Sequence, residues 1–208
     1  MIINLNFMNN PLTQKMRYYF QLLRWNKPSG RLILLIPAGW SLWLTPTSPP
    51  STLILVLVVF GGLVVSGAGC IANDIWDRQF DKKVKRTKLR PLASNKVSLL
   101  AASILLTFLL FLSLFTVLSI PTDSRNLCLQ LASIALPFIL LYPSTKRWFK
   151  YPQLILSICW GFSVLIPWAA SESSLAGGVP LLFCWIATIF WTFGFDTVYA
   201  MADEIDDK

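Results

Sequence analysis

Eight of the ten acidic residues in this chain stand in two short stretches. In the first, NDIWDRQFD, Asp74, Asp77 and Asp81 are spaced i, i+3 and i+7. In the second, DTVYAMADEIDD, Asp196, Asp203 and Asp207 are spaced i, i+7 and i+11, with Glu204 and Asp206 between them. On a helix each set shares one face. Like charges on one face repel, and the cost rises at membrane depth, so each set calls for a cation. Small groups of hard carboxylate oxygens suit Mg2+, which is typically held by one or two carboxylates together with substrate phosphates. Lys and Arg crowd the same regions: eight lie between residues 78 and 96, and Lys146, Arg147 and Lys150 follow a later apolar run. The planar arginine fork matches phosphate oxygens. Two carboxylate clusters among so many cations point to a Mg2+-bridged diphosphate.

The elements that carry these residues are membrane helices. The chain is 55% hydrophobic and only 13% charged, whereas a soluble domain carries about 25% charged residues. Six apolar segments approach the roughly 20 residues that a spanning helix needs: 25–44, 53–73, 98–118, 127–143, 152–170 and 179–200. Proline-rich or polar breaks separate them, among them TPTSPPS at 45–51 and SESSLAGG at 171–178. The expected fold is an all-α polytopic bundle forming one membrane-embedded domain over residues 1–208. The first 20 residues are polar and mixed, with no apolar core of a cleaved signal. Counted from the N-terminus through each successive connection to the tail, Lys and Arg number 5, 0, 8, 1, 3, 0 and 1. By the positive-inside rule the N-terminus and both Asp stretches are expected on the cytoplasmic side of the plasma (inner) membrane. The surplus of +8 suits anionic lipid headgroups, and no nucleic-acid partner is expected. With no histidine and four scattered cysteines in apolar runs, zinc, haem and Fe–S sites lack their usual ligands.

A diphosphate bound at a membrane helix end suggests a lipid-tailed diphosphate whose tail extends into the bundle. Departure of diphosphate from an allylic carbon leaves a carbocation, which aromatic walls can stabilise. Tyr142, Trp168, Trp191, Phe193 and Phe195 are candidates. The rival class is a cation transporter, which would place its acids near the bilayer midplane. Here they gather at segment ends beside basic residues.

The motifs resemble those of the membrane prenyltransferases of the UbiA superfamily. The first reads Asn73-Asp74-x-x-Asp77-Arg78-x-x-Asp81, and the second Asp196-Thr197-x-Tyr199-Ala200-x-x-Asp203-x-x-Asp206-Asp207. Tyr142-Pro143-x-x-Lys146-Arg147 and Arg24-x-x-Lys27-Pro28-x-Gly30 resemble two shorter family motifs. Val84-Lys85-Arg86-Thr87-x-x-Arg90-Pro91-Leu92 is similar to the 4-hydroxybenzoate branch, whereas chlorophyll, homogentisate or naphthoate acceptors mark other branches. Asn95 stands where the family commonly has glycine.

The resemblance implies an aromatic polyprenyltransferase of the EC 2.5.1 class. Its substrates would be polyprenyl diphosphate and 4-hydroxybenzoate, joined ortho to the ring hydroxyl in quinone biosynthesis. It implies Asp74, Asp77, Asp81, Asp196, Asp203 and Asp207 as Mg2+ ligands, with Asp74, Asp77, Asp203 and Asp207 central to catalysis. Asn73, Arg86, Arg90, Lys146, Arg147, Tyr142 and Tyr199 would bind the diphosphate or the acceptor. It also implies that six spans of a nine-helix family fold are present. The expectation is that helices 7–9 are missing and that the chain is a truncated, and on the alternative reading inactive, homologue.

Overall fold

The computed structural model describes residues 11–26 and 29–206, apart from the side chains of residue 11, residues 29–32 and residues 202–206. Helix follows helix: α1 (Pro11–Leu22), α2 (Ser29–Leu44), α3 (Thr52–Asp81), α4 (Leu99–Leu118), α5 (Thr122–Thr145), α6 (Pro152–Glu172) and α7 (Gly178–Asp206). Among the described residues there is no strand. Local chemistry sets the helix starts. Ser51 and Ser98 cap α3 and α4 by accepting from the amides of Ile54 and Ala101. Pro152 opens α6, where its missing N–H costs nothing.

Five helices, α3 to α7, are long and apolar enough to cross a membrane, and the protein is a polytopic helix bundle. The segment expected to be the first of six spans is shorter. α2 has 16 residues, Ser29–Leu44, fewer than the roughly 20 that a spanning helix needs. The sequence also gave no warning of α1. Its Leu22 is fully buried and joins Val64, Ala68 and Ile71 of α3 and Leu109 of α4 in one cluster.

α3 matters most for function. Its 30 residues rise about 45 Å, more than the roughly 30 Å of bilayer hydrocarbon. The apolar run Thr52–Ala72 accounts for that thickness, so Asn73–Asp81 emerges at one end of the bundle. The connection that follows, residues 82–98, folds back over that end. Leu92 and Val97 plug into the α3–α4 cluster, and Pro91 and Ala93 are buried beside them. At the opposite end the turns are short and tied by neutral or acidic contacts. The Thr47 amide donates to Glu172 Oε1 at 3.1 Å, and the Ser124 and Ser173 hydroxyls meet at 2.7 Å.

Between α2, α3, α4, α5 and α6 lies an apolar cavity of about 170 Å³, lined by residues such as Leu35, Val58, Val65, Leu110, Leu136 and Phe162. On α3 its lining extends from Ile54 to Ala68, six residues or about 9 Å of helix rise short of Asp74.

Close helix approach depends on small residues, as it does generally in membranes. A Cβ at Gly161 of α6 would stand 2.6 Å from Trp185 Nε1 of α7, whereas one at Gly39 of α2 would meet nothing within 4 Å. Gly161→Ala is therefore expected to destabilise the bundle by about 1–3 kcal/mol through overpacking. Gly39→Ala is expected to be neutral or slightly stabilising, given the better helix propensity of alanine. Thermal loss of helical ellipticity in detergent reads the difference, and equal midpoints would refute this packing.

Candidate functional site

The three aspartates at the end of α3 share a face, as their spacing requires, but their basic partners divide them. Asp74 is fully buried. Its Oδ1 accepts from Arg24 Nη2 at 2.6 Å and lies 3.4 Å from Arg90 Nη1. The same Arg90 nitrogen donates to Asp81 Oδ2 at 2.8 Å. Asp77 turns to α5 instead, with Arg147 Nη2 at 3.3 Å from Oδ1 and Lys146 Nζ at 3.4 Å from Oδ2. Lys146 also reaches Asn73 Oδ1 at 3.5 Å. A buried carboxylate is costly without partners, and Asp74 has two guanidinium groups on one oxygen. Its other oxygen, Oδ2, is buried and has no hydrogen-bond partner among the described residues.

Arg24 had no role assigned from the sequence, and it comes from the end of α1. The Trp25 amide donates to the Phe20 carbonyl at 2.8 Å, and the Arg24 amide to the Gln21 carbonyl at 3.0 Å. Phe20 and Trp25 meet edge to face at 5.2 Å. These bonds and this contact form a Schellman motif. Arg24 occupies its left-handed position, at φ 58°, where glycine is usual. A side chain there costs roughly 1–2 kcal/mol. The gain is a guanidinium aimed at Asp74. The one signal in the sequence was its place in Arg24-x-x-Lys27-Pro28-x-Gly30; Lys27 and Pro28 lie outside the described residues.

Arg90 is held by the 82–98 connection. Thr87 Oγ1 donates to the Asp81 carbonyl at 3.2 Å, and Ser94 Oγ to the Arg90 carbonyl at 2.8 Å. Asn95 sits at φ 57°, and its Oδ1 accepts from Arg78 Nη2 at 3.0 Å. Asparagine thus tolerates the left-handed turn, as glycine would, and adds a tie to α3. Arg86 is exposed in the same connection.

Lys146 and Arg147 are neighbours with different tasks. Arg147 Nη2 donates to the Trp76 carbonyl at the α3 end. Its guanidinium lies 4.7 Å from the Phe80 ring centroid and 5.8 Å from that of Trp76. Trp76 Nε1 in turn donates to the Leu140 carbonyl of α5 at 2.8 Å. Arg147 therefore clamps α5 to α3. Lys146 has no such aromatic or backbone clamp; it stands 5.7 Å over the Tyr142 ring, with 44% of its side chain exposed.

The second acidic stretch lies on the last turns of α7. Asp196 opens this stretch within α7, which packs against α6 and α2. Asp203 lies within α7, but its side chain is outside the described residues, as is Asp207 altogether. Tyr199 is exposed and lies 6.2 Å from Phe195, which stacks on Trp191 at 5.4 Å. Trp168, a candidate wall for a carbocation, is buried with Val164, Leu181 and Cys184. It sits near the opposite end of α6, so it belongs to the core and not to this site.

Among the described residues no three His, Cys, Asp or Glu side chains converge closely enough to hold a metal ion. The donors present nevertheless fit Mg2+: they are carboxylate and amide oxygens, and Asp74 Oδ2 is a buried acceptor with no partner among the described residues.

The UbiA prenyltransferase family matches residues 34–208. The chain is 46% identical over 188 residues to a 4-hydroxybenzoate solanesyltransferase of Synechocystis sp., covering 90% of this chain and 62% of that protein. It is 40% identical over 189 residues to a 4-hydroxybenzoate octaprenyltransferase of Legionella pneumophila, covering 91% and 65%. It thus spans a little under two thirds of the length of these relatives. In fold it is similar to a UbiA homolog from Archaeoglobus fulgidus bound to GPP and Mg2+, with a TM-score of 0.70 at 21% identity over 91% of this chain and 65% of that one. An apo UbiA homolog from Aeropyrum pernix K1 matches with a TM-score of 0.67 at 25% identity over 92% and 66%.

The clamp assigned to Arg147 predicts a stability effect that Lys146 lacks. Arg147→Lys keeps the charge but loses the fork and most of the stacking, and is expected to cost about 1–3 kcal/mol. Lys146→Met is expected to stay within about 0.5 kcal/mol of the parent. Thermal unfolding of both variants in detergent checks this, and a parent-like midpoint for Arg147→Lys would count against the clamp.

Proposed function

The chain belongs to the UbiA prenyltransferase family, and on that premise we propose that it transfers a polyprenyl group from polyprenyl diphosphate to the ring of 4-hydroxybenzoate, ortho to the hydroxyl. The observation that carries this reading is a juxtaposition. Three aspartates and four basic side chains, Arg24, Arg90, Lys146 and Arg147, ring the end of α3. An apolar cavity ends on the same helix two turns away. A polar head and a hydrocarbon tail call for those two neighbouring environments. The 4-hydroxybenzoate acceptor is favoured by the 4-hydroxybenzoate transferases among the relatives and by the Val84–Leu92 segment.

In this reading Asn73, Asp74, Asp77 and Asp81 hold Mg2+ from one side, and Asp196, Asp203 and Asp207 from the other. Bound there, Mg2+ would neutralise the charge that builds on a departing diphosphate. Arg90 and Lys146 turn from carboxylates to phosphate oxygens and stabilise the same charge. The cavity walls hold the tail and exclude water from the allylic carbon once its C–O bond breaks. The leaving diphosphate takes the bonding electron pair. The ring carbon ortho to the hydroxyl attacks the allylic carbon, and a ring proton is lost. Arg86 is the candidate cation for the acceptor carboxylate, beside Tyr142 and Tyr199. Residues 1–208 act as one membrane-embedded domain, with this end of the bundle facing the cytoplasm at the plasma (inner) membrane. Arg147, which joins α5 to α3 through the Trp76 carbonyl, would meet the diphosphate from the same turn as Lys146.

The test is prenyl transfer from a labelled polyprenyl diphosphate in membranes carrying the chain. Transfer to 4-hydroxybenzoate is expected with Mg2+ and is expected to vanish with EDTA. Asp74→Asn with Asp203→Asn is expected to lower the rate on the order of 100-fold or more. Transfer to homogentisate, chlorophyllide or a naphthoate, with none to 4-hydroxybenzoate, would overturn the acceptor. Undiminished transfer by the double variant would overturn the site.

A further inference from the structure

The ion pairs around Asp74 have a consequence for how ligands enter. We propose that Arg24 and Arg90 close the Asp74–Asp81 pair to a lone divalent cation and release it only to a cation that arrives with a diphosphate. The inference rests on the diphosphate reading above and adds to it a rule of co-binding.

The argument starts from charge. Asp74 and Asp81 carry two negative charges, and Arg24 and Arg90 carry two positive ones at 2.6 and 2.8 Å. The set is already neutral. A divalent cation brought to these carboxylates alone would meet two arginines at contact distance, around a carboxylate with no solvent exposure. With Asp74 out of bulk solvent, that repulsion is only weakly screened. To bind, the cation must displace the arginines, and among the described residues Asp77, the remaining carboxylate of α3, is already paired with Lys146 and Arg147. A diphosphate supplies another anion. Its oxygens match the guanidinium fork, so each arginine exchanges a carboxylate for a phosphate while the cation takes the carboxylate.

The geometry fits such an exchange. The Asp74 side chain is only 1% exposed, but those of Arg24 and Arg90 are 26% and 24% exposed. The carboxylate is held in place, and the guanidinium groups stand at the boundary from which a headgroup approaches. Arg24 is anchored by its Schellman turn, so its side chain can swing without loss of the backbone that carries it. Asp74 Oδ2, buried and without a hydrogen-bond partner among the described residues, is the oxygen that the arginines leave for the cation. Asp77 does not share this lock. Its partners stand at 3.3 and 3.4 Å and its side chain is 16% exposed. By linkage, whatever a diphosphate adds to cation affinity, the cation adds to diphosphate affinity.

The experiment uses the whole 208-residue chain in phosphatidylcholine nanodiscs, with Mn2+ as a spectroscopically visible cation and inorganic pyrophosphate as the anion. Protein-free nanodiscs give the background of Mn2+–pyrophosphate pairing. Wild-type protein is expected to bind Mn2+ alone weakly, and pyrophosphate is expected to tighten binding at least tenfold beyond that background. Arg24→Gln is expected to raise affinity for Mn2+ alone at least tenfold and to shrink the enhancement by pyrophosphate. Lys150→Gln, which removes a cation at the same end that stands over Tyr151, is expected to change neither. Should Arg24→Gln unfold, Arg90→Gln reads the same exchange and leaves Asp74 its 2.6 Å partner. Mn2+-alone affinity in the folded arginine variant within twofold of wild type would overturn the proposal. An equal gain in Lys150→Gln would also overturn it, because a general field would then explain the effect. Prenyl transfer is scored separately. An active wild-type chain that binds Mn2+ equally with and without pyrophosphate sinks the exchange and spares the transferase reading. Coupled binding without any prenyl transfer does the reverse.

Discussion

A carboxylate moved out of water at the edge of a hydrocarbon layer must find cations, and in this protein the demand is met at Asp74. The residue is fully buried at the point where α3 leaves its apolar run. Removing one partner of such a buried pair commonly costs about 3–5 kcal/mol. The partners come from distant parts of the chain: Arg24 from the end of α1 and Arg90 from the connection after α3. Each is held by its own local device, a Schellman turn in one case and a buried Pro91-Leu92-Ala93 plug in the other. One carboxylate thus organises three segments that share no helix.

The two ends of the bundle are built for different purposes. At one end the turns are short, and Thr47, Ser124, Glu172 and Ser173 join neighbouring loops. At the other, the long 82–98 connection and the 146–151 turn lay basic side chains over emergent helix ends. The apolar cavity lies between the two ends and closes on α3 short of Asp74. That gradient, from hydrocarbon to fixed charge along one helix, lets a single element face both a lipid tail and its anionic head.

Rigidity and exchange are divided between adjacent residues. Arg147 is committed to a backbone carbonyl and to two aromatic faces, and joins α5 to α3. Lys146, one position away, stays half-exposed above Tyr142. The planar fork of arginine suits a permanent multi-point clamp, whereas the compact, flexible ammonium of lysine suits a contact that is made and broken.

The long apolar helices α3 to α7, the alternation of basic connections and the single-faced spacing of Asp74, Asp77 and Asp81 could be read from the chain, because hydropathy period and helical register are local properties. The left-handed backbone at Asn95 accords with its place where the family commonly has glycine, although its bond to Arg78 could not be foreseen. α2 proved shorter than its expected span and α1 came unannounced, since a 12-residue helix with mixed polarity gains its stability from packing Leu22 into α3 and α4. The partners of each aspartate were beyond reach from sequence. Eighteen Lys and Arg residues offer many pairings of equal chemistry, and only the crossing of helices decides which cation meets which carboxylate. That crossing sent Trp168 into the core, tied Arg147 to the scaffold and brought Arg24 across 50 residues to Asp74. The local code determined what kinds of groups would gather at this end of the membrane. Their assignment to one another was a matter of packing, because ion pairing depends on distances that no spacing along the chain specifies.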